Sequence, residues 1–263
     1  MLRIHADQLA IFEHAALHDF EEEMVEHCAV LSPWIEAAID RGGQVAIVRA
    51  AIARAADYGF TLKGPVRLFI ELGFLLGHGF DADVQYPWAR MLLTRAGETR
   101  PRGADIEQMD CAAGLHGAAR DALRVIRGPG DQALCSALRR FSDLMSRPLS
   151  SQRDDVTRMA LTRFKHVHPE KFAFVGELAL RTLVAEATEE AARHGLDTPW
   201  DILLLVSCMF LYGQGCTRDP SLPWIAHAFA DETSASPALR SLRFEEQMRR
   251  TIRDTLAAME RNR

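Results

Sequence analysis

His14 and His18 have the spacing of metal ligands on a helix. They lie four residues apart in HAALHDFEEE, and Glu21 or Glu22 would share their helical face. A helical site of the di-iron type also needs matching carboxylates and an ExxH element from other helices, and the sequence offers no second set. We therefore interpret these residues as a solvated polar face and predict no bound metal or cofactor. A metal-dependent helical enzyme is the alternative.

Two cysteines and two aspartates are the remaining candidates for catalysis. Cys208 and Cys216 lie in or beside the most apolar stretch of the chain, where a thiol is usually an inert core residue, and no GxSxG motif supplies a nucleophilic serine. Asp83 and Asp219 could be paired acids, but each shortly precedes a Pro-Trp pair, where aspartate commonly caps a helix or orders a turn. The sequence thus predicts no catalytic residue and favours a protein that is not an enzyme.

The two aspartates belong to an internal repeat. A shift of 136 residues places YGFTLKGPVRLFIELGFLLGHGFDADVQYPW over HGLDTPWDILLLVSCMFLYGQGCTRDPSLPW without a gap. Nine of the thirty positions from 59 to 88 are identical. The identical pairs are Gly59/Gly195, Leu68/Leu204, Phe74/Phe210, Leu75/Leu211, Gly77/Gly213, Gly79/Gly215, Asp83/Asp219, Pro87/Pro223 and Trp88/Trp224. Most are glycine, proline or aromatic residues, which chance rarely aligns together.

The repeated residues predict where helices begin and end. Gly59 and Gly195 each follow an alanine-rich helical stretch, and glycine tolerates the left-handed conformation in which many helices end. The next helix is predicted over 65–76 in the first copy and over 199–212 in the second, with proline near its first turn. Both copies therefore share one pattern of helix ends.

A GxG tripeptide follows each of these central helices. Neither Gly77-His78-Gly79 nor Gly213-Gln214-Gly215 stands between a strand and a helix, as a phosphate-binding loop would, so we interpret both as helix stops. Pro87-Trp88 and Pro223-Trp224 then begin another helix. We predict that each tryptophan packs beneath the preceding loop and anchors its module.

These elements predict an all-α protein built from two tandem copies of a roughly five-helix module. The first module spans residues 1–127, and the second, degraded module spans 151–263. A linker over 128–150 carries Gly-Pro-Gly and Pro-Leu-Ser-Ser segments, with a bridging helix predicted over 132–146. The alternating pattern that is typical of strands is almost absent.

Composition limits the compartment and the partners. The net charge of −5 at pH 7 provides no basic field for nucleic acid or an anionic membrane. Two arginine-rich segments, 139–163 and 240–263, alternate with acidic or apolar residues and are predicted to form solvated helix faces. The five cysteines without a CxxC pair, the lack of a signal-peptide pattern and the short apolar runs predict a cytoplasmic protein without a membrane span.

With these motifs in view, the chain resembles a family of small helical bacterial proteins encoded beside PAAR, VgrG and toxin genes of type VI secretion systems. The family pattern reads QM…F…FE..MV.H and then YG…LG..FD.D..LPW. The first module matches it at Gln8, Phe12, Phe20, Glu21, Met24, Val25, His27, Tyr58, Gly59, Gly77, Phe80, Asp81, Asp83, Pro87 and Trp88. The second module keeps LPW and Asp219, but Cys216-Thr217 replaces the Phe-Asp pair.

The resemblance implies an accessory role in handling a secreted effector. The expected partner is the co-encoded effector or its PAAR or VgrG carrier, bound without turnover. A cytosolic chaperone or adaptor is favoured, because a cytosolic protein can serve any effector before export but can neutralise only a toxin that acts in the cytosol. The alternatives are an immunity protein that neutralises the effector, a helical metalloenzyme, and a repeat scaffold unrelated to secretion.

Overall fold

The computed structural model describes residues 6–31, 39–98, 105–145, 155–229 and 236–261. These residues form α-helices joined by turns and short 3-10 segments, and they contain no β-strand, so the predicted all-α fold class is confirmed. Within the same ranges, no helix is long and apolar enough to cross a membrane.

The helices are numbered in chain order. The first half of the described chain contains α1 (Ala6–Leu31), α2 (Arg41–Asp57), α3 (Lys63–Leu76), α4 (Pro87–Glu98) and α5 (Asp105–Arg127). The second half contains α6 (Gln132–Met145), α7 (Val156–Val167), α8 (Pro169–Val175), α9 (Glu177–Arg193), α10 (Pro199–Tyr212), α11 (Pro223–Phe229) and α12 (Pro237–Arg261). Single 3-10 turns, Pro129–Asp131 and Cys216–Arg218, precede α6 and α11.

Both alanine-rich helices, α2 and α9, end at a glycine, as the sequence predicts. Gly59 and Gly195 have φ angles of 82° and 66°, within the left-handed region. The N–H group of the residue after each glycine donates back to a carbonyl oxygen of the last helical turn, at 3.1 Å and 2.9 Å respectively. This pattern is the Schellman motif, which satisfies carbonyl groups that would otherwise lack a partner at the helix end.

Helix boundaries recur at the 136-residue offset. The boundaries of α9 are those of α2 shifted by 136, and the boundaries of α10 are those of α3 shifted by the same amount. Helices α4 and α11 also begin one offset apart, at Pro87 and Pro223. The halves differ at the front, because α7 begins at Val156, the offset equivalent of Phe20, whereas α1 begins earlier, at Ala6. Superposition of the two complete modules stays a prediction.

Buried apolar side chains form two clusters. One is built from helices α1 to α5 and the loops between them, and the other from helices α6 to α12. Helix α6, predicted as a bridge over 132–146, ends at Met145 and contributes Leu138 and Phe141 to the second cluster. The bridging helix is therefore packed into the second half instead of crossing open solvent.

Helix α10 is deeply buried. Residues 203–210 are each at most 3% exposed, because α7, α9 and α12 all pack against this helix. A capping box, in which Thr198 and Asp201 each bond the other's backbone N–H group, begins it. The apolar run in the sequence is thus explained by burial on several sides, since a helix that is apolar all round needs partners all round.

Valine in place of Gly59 or Gly195 should destabilise the protein by about 1 to 2 kcal/mol, because a side chain with a Cβ is strained at positive φ. The effect should be larger at Gly195, where a Cβ would lie 2.7 Å from an Arg240 guanidinium nitrogen, than at Gly59, where the surrounding space is open. Urea unfolding measures both variants. Gly64→Val is the control, because Gly64 has open space and no positive φ. Equal stability of all three variants would contradict this account of the helix ends.

Candidate functional site: the glycine–aspartate junction

The two GxG segments meet each other in the structure. A Cβ on Gly77 would lie 2.6 Å from the carbonyl oxygen of Tyr212, and a Cβ on Gly213 would lie 2.9 Å from that of Leu76. Real Cβ atoms do not approach backbone oxygens so closely, so only glycine fits at either position. The φ angles of Gly77 and Gly213, 102° and 104°, exclude other residues for a second reason. We call the two GxG segments together with Asp83 and Asp219 the junction.

Asp83 and Asp219 hold the two sides of the junction together. The carboxylate of Asp83 accepts a hydrogen bond from the backbone N–H of Gln214 at 2.8 Å. The carboxylate of Asp219 accepts one from the backbone N–H of His78 at 3.0 Å. The two donors, His78 and Gln214, are 136 residues apart, and so are the two acceptors, Asp83 and Asp219. The same contact is therefore made twice, once from each copy of the repeat. The repeated residues therefore bind their own counterparts across a local twofold arrangement.

Each aspartate also orders its own loop, as the sequence predicts. The second carboxylate oxygen of Asp83 accepts from the Gln85 N–H at 2.8 Å, and that of Asp219 accepts from the Ser221 N–H at 2.8 Å. This bond to the residue two positions ahead is the Asx turn. The turn is confirmed, whereas the contact across the junction is not visible in the sequence.

The two sides of the junction differ in the middle residue of GxG. His78 Nδ1 lies 3.1 Å from a carboxylate oxygen of Asp219. At the equivalent place, the side chain of Gln214 accepts from the N–H of Val84 at 2.9 Å and donates to Glu186. An imidazole therefore lies beside one buried aspartate, while the amide on the other side bonds a backbone N–H and the carboxylate of Glu186.

Burial acts differently on the two carboxyl groups. Burial raises the pKa of Asp83, and the N–H groups of Gln214 and Gln85 and the charge of Lys171 only partly oppose this effect. Burial also acts to raise the pKa of Asp219, but the nearby His78 imidazole, the His78 backbone N–H and the Ser221 hydroxyl together outweigh it, so that the pKa is lowered. The Asp219 side of the junction thus favours the ionised carboxylate more strongly.

Lys171 is a buried ammonium group beside the junction. It lies on α8 and is 2% exposed, and its Nζ donates to the carbonyl oxygen of Phe210. Nζ also lies 5.6 Å from the ring centre of Tyr86, a residue of the first half. Burial lowers the pKa of Lys171 to about 8, against the charge of Asp83, which raises it. No local motif predicts a role for Lys171, although it is one of only three lysines in an arginine-rich chain.

The tryptophans predicted as module anchors occupy similar surroundings. Trp88 and Trp224 are both half-buried, so neither ring is fully enclosed. Trp224 stacks on Phe244 with ring centres 5.9 Å apart, and Trp88 lies 6.1 Å from Tyr86. Both indole N–H groups are buried without an acceptor. The anchoring is therefore apolar.

The metal-ligand candidates lie on the surface of α1. His14 and His18 are exposed, and Glu22 pairs with Arg41. Within the ranges that the structure describes, no group of three or more His, Cys, Asp or Glu side chains could hold a metal ion. His14 and His18 fit the solvated polar face of our interpretation, but that interpretation is wrong for Glu21, which is 4% exposed and accepts two hydrogen bonds from Arg49. The absence of a bound metal stays a prediction.

The arginine-rich segments are only partly solvated. Arg139 pairs with Glu260 at 2.6 Å on the surface, as expected of a solvated face. Arg163, however, is 9% exposed, with its guanidinium 5.3 Å from the ring centre of Trp200, and Arg240 is 8% exposed. The prediction of solvated faces is wrong for these two arginines, because their stems and guanidinium groups pack against the second half.

The first half of α1 projects from the body of the protein. Residues 11, 12 and 14–19 are all exposed, and packing begins at Phe20. Three large apolar side chains stand in this exposed part, Ile11 at 67%, Phe12 at 65% and Leu17 at 44% exposure. This part of α1 has no counterpart in α7, which begins at the offset equivalent of Phe20.

Comparisons of the chain with protein families, with curated proteins and with solved structures found no match. The resemblance to secretion accessory proteins therefore rests on the sequence motifs alone.

Alanine at Gly77 or Gly213 should destabilise the protein by at least about 2 kcal/mol, because the added Cβ meets a backbone oxygen and the φ angle is strained. Gly79→Ala is the matched control. A Cβ at Gly79 would meet the Gly215 Cα at an ordinary 3.9 Å, so this change should alter stability by less than about 1 kcal/mol. Chemical unfolding of the three variants distinguishes them. Similar stability of all three would show that the halves do not meet at this point.

Lys171 should make stability rise with pH above about pH 8. Its pKa is about 8 in the folded protein against 10.5 in a model compound, so the unfolded chain binds more protons between these values. The free energy of unfolding should then increase by up to about 1.4 kcal/mol per pH unit. Buried thiols and tyrosines, whose pKa values are raised, reduce this slope because they act in the opposite direction. Urea unfolding at several pH values up to about 9.5 measures this slope.

The Lys171 contribution is the difference in slope between the wild type and Lys171→Met, which removes the titrating amine. Lys165→Met provides the control, because Lys165 is exposed on α7. Equal slopes for the wild type and Lys171→Met would contradict the lowered pKa.

Proposed function

We propose that this protein binds a secreted effector encoded beside it and acts on that effector before export, in the cytoplasm, as a chaperone or adaptor without catalytic turnover. The motif resemblance to type VI secretion accessory proteins suggests the partner. The projecting half of α1 is the observation on which the proposal depends.

The arrangement of apolar residues on α1 fits a binding helix. Leu17 continues the stripe of Phe20 and Met24, which pack into the first core, whereas Ile11 and Phe12 point to other sides of the helix because successive residues turn by about 100°. Large apolar side chains exposed on several sides of a helix favour a partner that covers them. The expected partner therefore clasps this helix in an apolar groove, as in helix-in-groove recognition.

The repeat supports a binding role in a second way. The identical glycines and aspartates are used to join the halves, so their recurrence does not require a shared reaction. The projecting half of α1, in contrast, precedes the offset equivalent of the first residue of α7. Because this part of α1 is where the two halves differ, we infer that α1 carries the specific recognition.

Removing the exposed apolar side chains should abolish effector binding. The variant Ile11→Ser/Phe12→Ser/Leu17→Ser should bind the effector of the adjacent gene at least about tenfold more weakly than the wild type, since interface anchors are large apolar groups. Titration calorimetry measures the affinity, and circular dichroism checks that the body stays folded. Leu178→Ser is the matched control, because Leu178 is 82% exposed but lies on α9.

Two outcomes would overturn this proposal at different levels. If the wild type does not bind the adjacent effector, the effector-handling role is wrong. If the triple variant binds as tightly as the wild type, the role stands but α1 is not the recognition element.

Gene deletion separates chaperoning from immunity. Loss of effector secretion from an attacking strain that lacks the gene is the expected result. Death of a recipient strain that lacks it would instead favour an immunity protein that neutralises the effector.

A further inference from the structure

Two buried thiols face each other in the second half of the protein. Cys208 lies on α10, Cys216 begins the 3-10 turn after it, and their Sγ atoms are 3.7 Å apart. Both are free and at most 1% exposed. Cys135 differs, since its sulfur contacts the thioether of Met259 at 3.8 Å.

The repeat makes this pair informative. At the offset of 136 residues, the equivalents of Cys208 and Cys216 are Leu72 and Phe80. Both equivalents are buried and apolar, at 2% and 1% exposure. Ordinary apolar side chains therefore suffice for packing at these two positions. The second copy has a thiol at both of them, which packing alone does not require.

We propose that Cys208 and Cys216 form a reversible intramolecular disulfide site that closes when a small peroxide oxidises the protein. One thiol, as thiolate, attacks the peroxide oxygen, which gives a sulfenic acid and releases one water from hydrogen peroxide. The second thiol then attacks that sulfur, and a second water leaves as the S–S bond forms. Overall, the two thiols lose two protons and two electrons to one hydrogen peroxide, which leaves as two water molecules. This inference is independent of the proposed function.

The movement that the bond needs is small. A disulfide requires the sulfurs to approach to about 2.05 Å, which is less than 2 Å closer than the observed 3.7 Å. Cys216 belongs to a single 3-10 turn that follows Gly215, so this turn can shift without disturbing a long helix. Cys208 can stay in place on the rigid helix α10.

The surroundings predict a slow and specific reaction. The hydrogen bond with Cys208 and burial raise the pKa of Cys216, so little of it is thiolate at neutral pH. Burial likewise raises the pKa of Cys28 to about 12. A sulfenic acid formed at either member of the pair, however, would have a second thiol in contact with it. The pair should therefore end as a disulfide.

Closure would act on the junction through Asp219. Asp219 directly follows the turn Cys216–Arg218 and accepts the hydrogen bond from the His78 N–H. A bond between Cys216 and α10 would fix this turn, and with it one of the two reciprocal aspartates. The oxidised protein should therefore resist unfolding better than the reduced protein.

The experiment treats the purified full chain with millimolar hydrogen peroxide overnight at neutral pH. Intact mass spectrometry should find a species lighter by two hydrogen atoms, and peptide mapping should find Cys208 linked to Cys216. The melting temperature of this species should be higher than that of the reduced protein and should return to the starting value with a dithiol reductant.

The matched control replaces the pair with the residues of the first copy, Cys208→Leu/Cys216→Phe, and should show neither the mass loss nor the shift in melting temperature. Cys208→Ala and Cys216→Ala serve if that variant does not fold. Absence of the mass loss in the wild type, or a link to another cysteine, would overturn the disulfide site. A linked species that melts no higher than the reduced protein would overturn its effect on the junction.

Discussion

At Gly77 and Gly213 two helix ends meet backbone to backbone, with no room for a Cβ on either side. The rest of the junction depends on this close approach. Only because the chains come so near can Asp83 and Asp219 each reach a backbone N–H of the opposite segment. The same two glycines also end their own helices. Each glycine therefore sets both the end of a helix and the close approach of the two halves.

Burying two carboxylates near each other creates an electrostatic difficulty that the two copies resolve differently. Asp219 has His78 beside it, and its pKa is lowered despite burial. Asp83 lacks an imidazole at the equivalent place, and the positive charge that acts on it, the buried ammonium of Lys171, only partly opposes the effect of burial on its pKa. The hydrogen-bond geometry of the repeat has thus been kept while the charges around it have diverged, and α8 joins the junction to the second core.

The sequence alone predicts those features of the fold whose physical cause lies within a short stretch of chain. Glycines at positive φ marked the ends of the predicted helices, and the central helix predicted over 65–76 is observed as Lys63–Leu76. The Asx turns also follow from a short stretch of chain. The contact between Asp83 and Gln214 joins residues 131 positions apart, and no local pattern encodes it. Arg163 was misjudged for the same reason, since the ring of Trp200 that covers it comes from a different helix.

The junction changes how the repeat should be interpreted. Residues that recur in both copies are usually examined as a shared binding or catalytic motif, but a residue that contacts its own counterpart is constrained twice, once from each side. A change in either copy disturbs the same interface, so such residues persist for reasons of packing alone. Specific recognition then has to come from elements in which the copies differ. The front of α1, which extends beyond the offset equivalent of the start of α7 and exposes Ile11 and Phe12, is the largest such difference among the helices that the structure describes.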